Sequence, residues 1–223
     1  MRQRKSKQIL TYFFLLFLLG SITNLTFQDN QLLNLKKIIV SGLDEKGNED
    51  LKNKIHNLKL KNIFFINEKQ IKNIIEINSL IESYKISKIY PSTLEIKINK
   101  TNLLAKINKN GKILFVGSNG KLSEIFSHNK KLPFIFGKPK IQEFLDFKKV
   151  LDESKFSYDE VKNFYFFPSK RWDVELENNI ILKLPRYNSK NSLDYVFDFL
   201  VLKNFRSNFT IDARVNNQII SYE

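Results

Sequence analysis

Cysteine is missing from all 223 residues, which excludes disulfides, thiolate metal sites and a thiol nucleophile together. Histidine occurs only twice, at His56 and His128. Each stands among Lys and Asn with no neighbouring ligand set, so both are expected as solvated surface groups rather than metal ligands or general bases. Glycine is scarce, at 7 residues. The one stretch that looks like a phosphate cradle, VGSNGKL, lacks the G-x-x-x-x-G-K-[ST] spacing and precedes no helix, so it reads as a hairpin turn. Neither G-x-S-x-G nor H-E-x-x-H occurs, and the acidic pairs Glu49-Asp50 and Asp152-Glu153 are expected at helix ends. These absences argue against an enzyme, a cofactor, a metal and a small-molecule substrate. Acidic charge is also short, giving a net charge of +14, yet Lys, Asn, Ile and Phe are raised along the whole chain rather than in one patch. Nucleic acid is therefore not expected as a partner.

The first acidic residue is Asp29. Before it, Arg2, Arg4, Lys5 and Lys7 lead into the uncharged run ILTYFFLLFLLGSITNLTF, Ile9 to Phe27. As a helix this run would be about 28 Å long, close to the hydrocarbon thickness of a bilayer. A cleaved signal peptide is the alternative, but GSITN offers no small-x-small cleavage site. The sequence predicts a cytoplasmic tail over 1–8, one transmembrane helix over 9–27 and a linker over 28–34. The basic flank keeps the N-terminus inside, so the bulk of the chain is exported.

Beyond the linker, LKKIIVSG reads as a strand closed by Gly42. EDLKNKIHNL carries Leu51, Ile55 and Leu58 at helical spacing, and NEKQIKNIIEI opens on Asn67 as an N-cap, with Ile71, Ile74 and Ile75 on one face. In YKISKIYPSTLEIKINK, two alternating runs meet at Tyr90-Pro91-Ser92. Leu94, Ile96 and Ile98 point one way and Thr93, Glu95 and Lys97 the other. Pro91 has no donor for a central ladder and belongs in the turn. The order strand, helix, helix, strand, strand over 35–102 predicts three strands covered by two helices. Over 103–223 the texture turns to strands and tight turns, with helices at KIQEFLDFKKVLDES and SLDYVFDFLVLKNF. Hairpins are expected at Asn178-Asn179 and Asn216-Asn217. The aromatics Phe164, Tyr165, Phe166, Phe167 and Trp172 read as sheet core. The fold class is α+β, its second domain built on an antiparallel sheet with flanking helices.

This order of parts, together with KIYPSTLEIKI, RWDVELENNIILKL and TIDARVNNQII, resembles the FtsQ/DivIB family of bitopic cell-division proteins. Its first exported module is a POTRA domain. Lys88, Tyr90, Pro91, Thr93, Leu94, Ile96 and Ile98 match the family's hairpin pattern, and Arg171, Trp172, Leu176, Asn178, Asp212 and Arg214 match its later hairpins. The chain departs at Lys100, where the family usually has Glu, at Leu103, where it has Pro, and at Asn179 and Asn217 in place of turn Gly. Asn tolerates positive φ, so the turns survive.

The resemblance implies a non-enzymatic scaffold of the divisome in the inner membrane at the septum, holding FtsB/FtsL-type partners by strand addition. A POTRA module of protein export or outer-membrane assembly is the alternative. The last strand, Gln218 to Tyr222, carries no Lys or Pro to blunt an open edge. The partner-binding residues expected are Arg214 and Val215, then Gln218, Ile219, Ile220, Ser221 and Tyr222, with Tyr195 and Phe199 on the preceding helix. Arg214 is expected to pair with an acidic residue of the partner. A secondary platform is expected at the hairpin of Lys88, Tyr90, Pro91 and Thr93.

Overall fold

The computed structural model describes residues 3–20, 34–124, 131–203, 208–215 and 218–222. Residues 28–33 of the expected linker, His128 and the Asn216-Asn217 turn lie outside them, as does the second part of the expected transmembrane run. Helix α1, Gln3–Gly20, carries the first part. Its apolar side chains from Ile9 to Phe17 are all at least half exposed. Among the described residues, no helix is long and apolar enough to cross a membrane.

The chain divides into two compact units at Lys100, with Ser79–Glu82 counted in the second. In the first, β1 (Lys37–Ser41) is followed by α2 (Glu45–His56), α3 (Glu68–Ile77), β2 (Ile81–Ile89) and β3 (Thr93–Lys100). The sheet order is β1-β3-β2, and β1 runs parallel to β3 with Ile38 opposite Leu94 and Val40 opposite Ile96. Return to a parallel neighbour needs a crossover, which α2 and α3 supply. The alternation of β3 does what its period predicts: Leu94, Ile96 and Ile98 are buried, while Lys97 is exposed. Leu51 and Ile55 of α2 and Ile71 and Ile75 of α3 are buried as well, and α2 packs on β1. Asn67 caps α3 by accepting the Lys69 N–H at 3.1 Å. Gly42 ends β1 at φ +113, and a Cβ there would lie 1.8 Å from the Ile98 carbonyl oxygen. Only glycine permits both that dihedral and that approach.

The second unit contains β4 (Leu103–Lys109), β5 (Lys112–Gly117), β6 (Leu122–Ser123), β7 (Phe134–Phe136), α4 (Ile141–Asp152), β8 (Val161–Phe166), β9 (Trp172–Leu176), β10 (Ile181–Lys183), α5 (Ser189–Lys203), β11 (Thr210–Asp212) and β12 (Ile220–Tyr222). These strands form one sheet in the order β12-β11-β10-β9-β8-β7-β4-β5-β6. The expectation of an antiparallel sheet is corrected here. β7 is parallel to both β4 and β8, and β10 is parallel to β11. For the pairs β7–β8 and β10–β11 the reason is the placement of the helices. α4 lies in the chain between β7 and β8, and α5 between β10 and β11, so each joins neighbouring strands by a crossover rather than a hairpin. The hairpin predicted at Asn178-Asn179 does form between β9 and β10, with Asn179 at φ 61. VGSNGKL is the β5–β6 turn, with Gly120 at φ 75.

On one face of this sheet, Phe144, Phe147 and Leu151 of α4 and Leu193 and Val196 of α5 join Phe164, Trp172, Val174, Leu182 and Ile211 in a continuous core. Phe147 stacks on Trp172 at 5.0 Å, and Phe144 meets Phe164 edge-on at 5.5 Å. Each fully buried ring of this kind contributes roughly 1.5–3 kcal/mol relative to exposure. Tyr165 and Phe167 depart from the core expected for the whole aromatic run. Successive strand residues alternate faces, so Tyr165 is turned away from that of Phe164 and stacks on Phe136 at 5.0 Å. The ring of Phe167 takes the Arg171 guanidinium at 4.4 Å.

Candidate partner-binding edge

β11 and β12 are antiparallel, with Thr210 opposite Tyr222, Ile211 opposite Ser221 and Asp212 opposite Ile220. Ile211 is fully buried and ties the pair to the core. β12 stands last in the sheet order, so its far edge has no strand beside it among the described residues. The strand itself is only three residues long, shorter than the predicted Gln218 to Tyr222. Ile219, just before it, is half-buried against the core, whereas Ile220 and Tyr222 are 51% and 43% exposed. A row of free backbone donors and acceptors flanked by exposed apolar side chains is what a strand-adding partner uses.

A pocket of about 170 Å³ opens beside this edge, between Asn188, Asn191, Ser192 and Tyr195 of the α5 region and Ala213, Val215 and Gln218. Three of the residues expected to meet a partner, Tyr195, Val215 and Gln218, are therefore brought together, although 20 residues separate the first two in the chain. Phe199 is not among the pocket's lining residues; it packs against the core instead.

Four polar side chains near the edge, Arg214, Asp212, Lys183 and Tyr222, are engaged within the chain. Arg214 donates through Nε to both carboxylate oxygens of Asp212, at 2.8 and 2.9 Å, and its backbone N–H donates to the same group at 3.1 Å. Hydrogen bonding from Arg214 holds the Asp212 carboxyl below its ordinary value, and the same pairing raises the guanidinium. Lys183, opposite Asp212 in the ladder, donates to the Tyr222 hydroxyl at 2.6 Å, with its Nζ 5.3 Å from the centre of that ring. Sequence reasoning missed Lys183 and the role of Asp212 as an internal partner. The ladder that places Lys183 between Asp173 and Asp212 comes from strand neighbours distant in sequence.

Further along the same outward face, Glu175 is 8% exposed. It accepts hydrogen bonds from Lys162 at 2.7 Å, Asn163 at 2.8 Å and Tyr165 at 2.6 Å. Burial alone would raise its pKa, but these donors together hold it below the ordinary range. Burial, then the bond to Glu175, pushes the Tyr165 phenol up to about 12. Asp173 goes the other way from Glu175: burial raises it despite the Arg171 partner. Every member of this network is engaged structurally, and among the described residues no group of three or more Asp, Glu or His could hold a metal.

In the first unit, Tyr90 is 55% exposed and stacks on Phe64 at 4.8 Å, and Pro91 is exposed in the turn. Lys88 reaches Glu68 at 3.6 Å, and Thr93 opens β3 opposite Lys37. Because β3 has a strand on each side, any strand joining this sheet must add to β1 or β2.

The first unit's connectivity and its central third strand define a POTRA-type α+β module. Residues 33–100 match the model of the POTRA domain, FtsQ-type. The module is thus a POTRA domain of the FtsQ type. Among solved structures, the chain is similar to the major extracytoplasmic domain of the trans isomer of the bacterial cell division protein DivIB from Geobacillus stearothermophilus. The identity is 10% and the TM-score 0.33, over 47% of this chain and 94% of that one. No curated protein matches.

Proposed function

We propose that the chain is a non-enzymatic scaffold of bacterial cell division, held in the inner membrane by its N-terminal helix, with the bulk of the chain in the periplasm. It takes a strand from a division protein of the FtsB/FtsL type along the outer edge of β12. The observation that carries this reading is the free edge of a three-residue β12, bearing exposed Ile220 and Tyr222 beside the Tyr195, Val215 and Gln218 pocket. Backbone bonds along the edge supply affinity, and the pocket reads a partner side chain. Arg214 meets a partner with its guanidinium already held by the Asp212 carboxylate rather than as a free cation.

Anchoring is supported by α1, whose exposed Leu10, Phe13, Phe14 and Phe17 would be costly in water. The apolar run continues past Gly20 to Phe27. Four basic residues and no acid precede it, which orients the N-terminus to the cytoplasm.

The test is capture of an FtsB-type periplasmic segment by Ser221→Pro and, separately, by Val215→Asp, with the melting temperature followed in parallel. Capture is expected to fall at least tenfold in both while melting holds. Undiminished capture by both variants refutes the edge as the binding surface.

A further inference from the structure

Three segments meet where the chain enters the POTRA sheet. Asn34 forms a bridge with Asn62, the Leu35 N–H donates to the Lys61 carbonyl at 2.8 Å, and the Lys36 N–H donates to the Ser92 carbonyl at 2.9 Å. These bonds bring the start of β1, the α2–α3 connection and the β2–β3 turn to one end of the domain. Two surface features share that end. The first is aromatic: Phe64 and Phe65 are 51% and 50% exposed, and the Tyr90 ring is stacked on Phe64. The second is a cleft of about 740 Å³ along the start of β1 and the end of α2. Leu35 and Leu60 lie half-buried in it, and it is lined by Lys36, Lys37, Lys52 and Lys59, with the His56 ring beside them.

Among the described residues, no acidic one lines the cleft. Among the described residues none of its four lysines has an ion-pair partner, whereas Lys54 on the same helix is paired with Asp50 and Lys88 with Glu68. The fold thus gathers four lysines from two separate segments into one cleft. Unpaired ammonium groups repel each other and favour an anionic neighbour. An acidic polypeptide would meet the lysines but would leave the exposed rings unexplained. An anionic bilayer surface takes both, because lysines reach phosphate groups while aromatic rings sit at headgroup level. Chain length agrees. Six residues, 28–33, separate the end of the apolar run from Asn34, so this end of the domain lies within about 25 Å of that point.

We propose that the basic and aromatic end of the POTRA domain docks on the anionic lipid surface of the membrane. The inference rests on the anchored reading, which brings that surface within reach, and extends it from a tether to an oriented contact. Docking would fix how the POTRA sheet stands over the bilayer.

The absence of native cysteine allows a single fluorophore at Asn57→Cys in the full chain. The chain is mixed with vesicles carrying a quencher lipid, made of phosphatidylcholine alone or of two parts phosphatidylcholine to one part phosphatidylglycerol. Quenching is expected with the anionic vesicles only, and molar salt should abolish it. The docked-to-free ratio should fall about fivefold for each of Lys36→Gln, Lys37→Gln, Lys52→Gln and Lys59→Gln, at about 1 kcal/mol per charge near the surface. Phe64→Ala should lower it further, and circular dichroism melts show whether each variant is folded. Flotation separates the two readings. A chain that floats with neutral vesicles is anchored whatever the probe reports. One that does not float refutes the anchor, while quenching by added anionic vesicles still decides the docking. Equal quenching by both vesicle types, or indifference to all four lysine changes, overturns the proposal. A response to polyglutamate without one to phosphatidylglycerol also overturns it and assigns the cleft to an acidic protein.

Discussion

Gly42→Ala is expected to be among the most damaging single-methyl changes in the POTRA domain. Two costs add. At φ +113 an L-residue pays about 1–2 kcal/mol relative to glycine. The new Cβ would also stand 1.8 Å from the carbonyl oxygen of Ile98, so backbone rather than a flexible side chain must move. Overpacking of that kind costs about 1–3 kcal/mol. Gly111 separates the two effects. It has φ +82, but a Cβ there meets nothing within 4 Å, so Gly111→Ala carries only the first cost. The readouts must match the units. Trp172, the single tryptophan, lies in the second unit and reports Gly111→Ala through fluorescence in urea. Gly42→Ala is followed by amide exchange along β1 and β3. The expected loss at Gly42 is about 2–5 kcal/mol, which accelerates globally protected amides there by thirtyfold or more at about 1.4 kcal/mol per tenfold. If Gly42→Ala costs no more than Gly111→Ala, the close approach of Gly42 to β3 is wrong.

Two further predictions concern burial and charge. Ile96→Asp places a carboxyl at a fully buried position and should cost several kcal/mol, whereas exposed Lys97→Asp should cost no more than about 1 kcal/mol; equal exchange rates along β3 in the two variants would show that the strand faces the other way. The Asp212 and Asp173 carboxyls, which face Lys183 from either side, should titrate on opposite sides of the free aspartate value of about 3.9. Asp212 is lowered, so its contribution to stability is complete above that value and is lost as pH falls through its own folded pKa; Asp173 is raised, so the folded state gains as pH falls through its folded pKa. Carboxyl carbon shifts in a titration would measure both midpoints, and an Asp212 midpoint at or above the free value would contradict the Arg214 pairing.

The sequence by itself determined whatever depends on a residue's near neighbours. The period of Leu94, Ile96 and Ile98 set the buried face of β3, because alternation is a property of one strand and needs no partner. Asn67 marked the start of α3 and Asn178-Asn179 the turn after β9, because capping and positive φ are decided within a few residues. The tertiary structure decided what depends on which segments become neighbours. The parallel pairs β7 with β8 and β10 with β11 follow from where α4 and α5 cross, and no strand carries a local mark of that choice. Arg214 was legible as a cation near the last strand, but not as the partner of Asp212, since an ion pair depends on geometry that the pattern leaves open. Tyr195 met Val215 only when α5 folded back beside the last strands. Lysine looked uniform along the chain because composition has no direction; the bonds joining Asn34, Lys61 and Ser92 gave it one by drawing Lys36, Lys37, Lys52 and Lys59 into a single cleft.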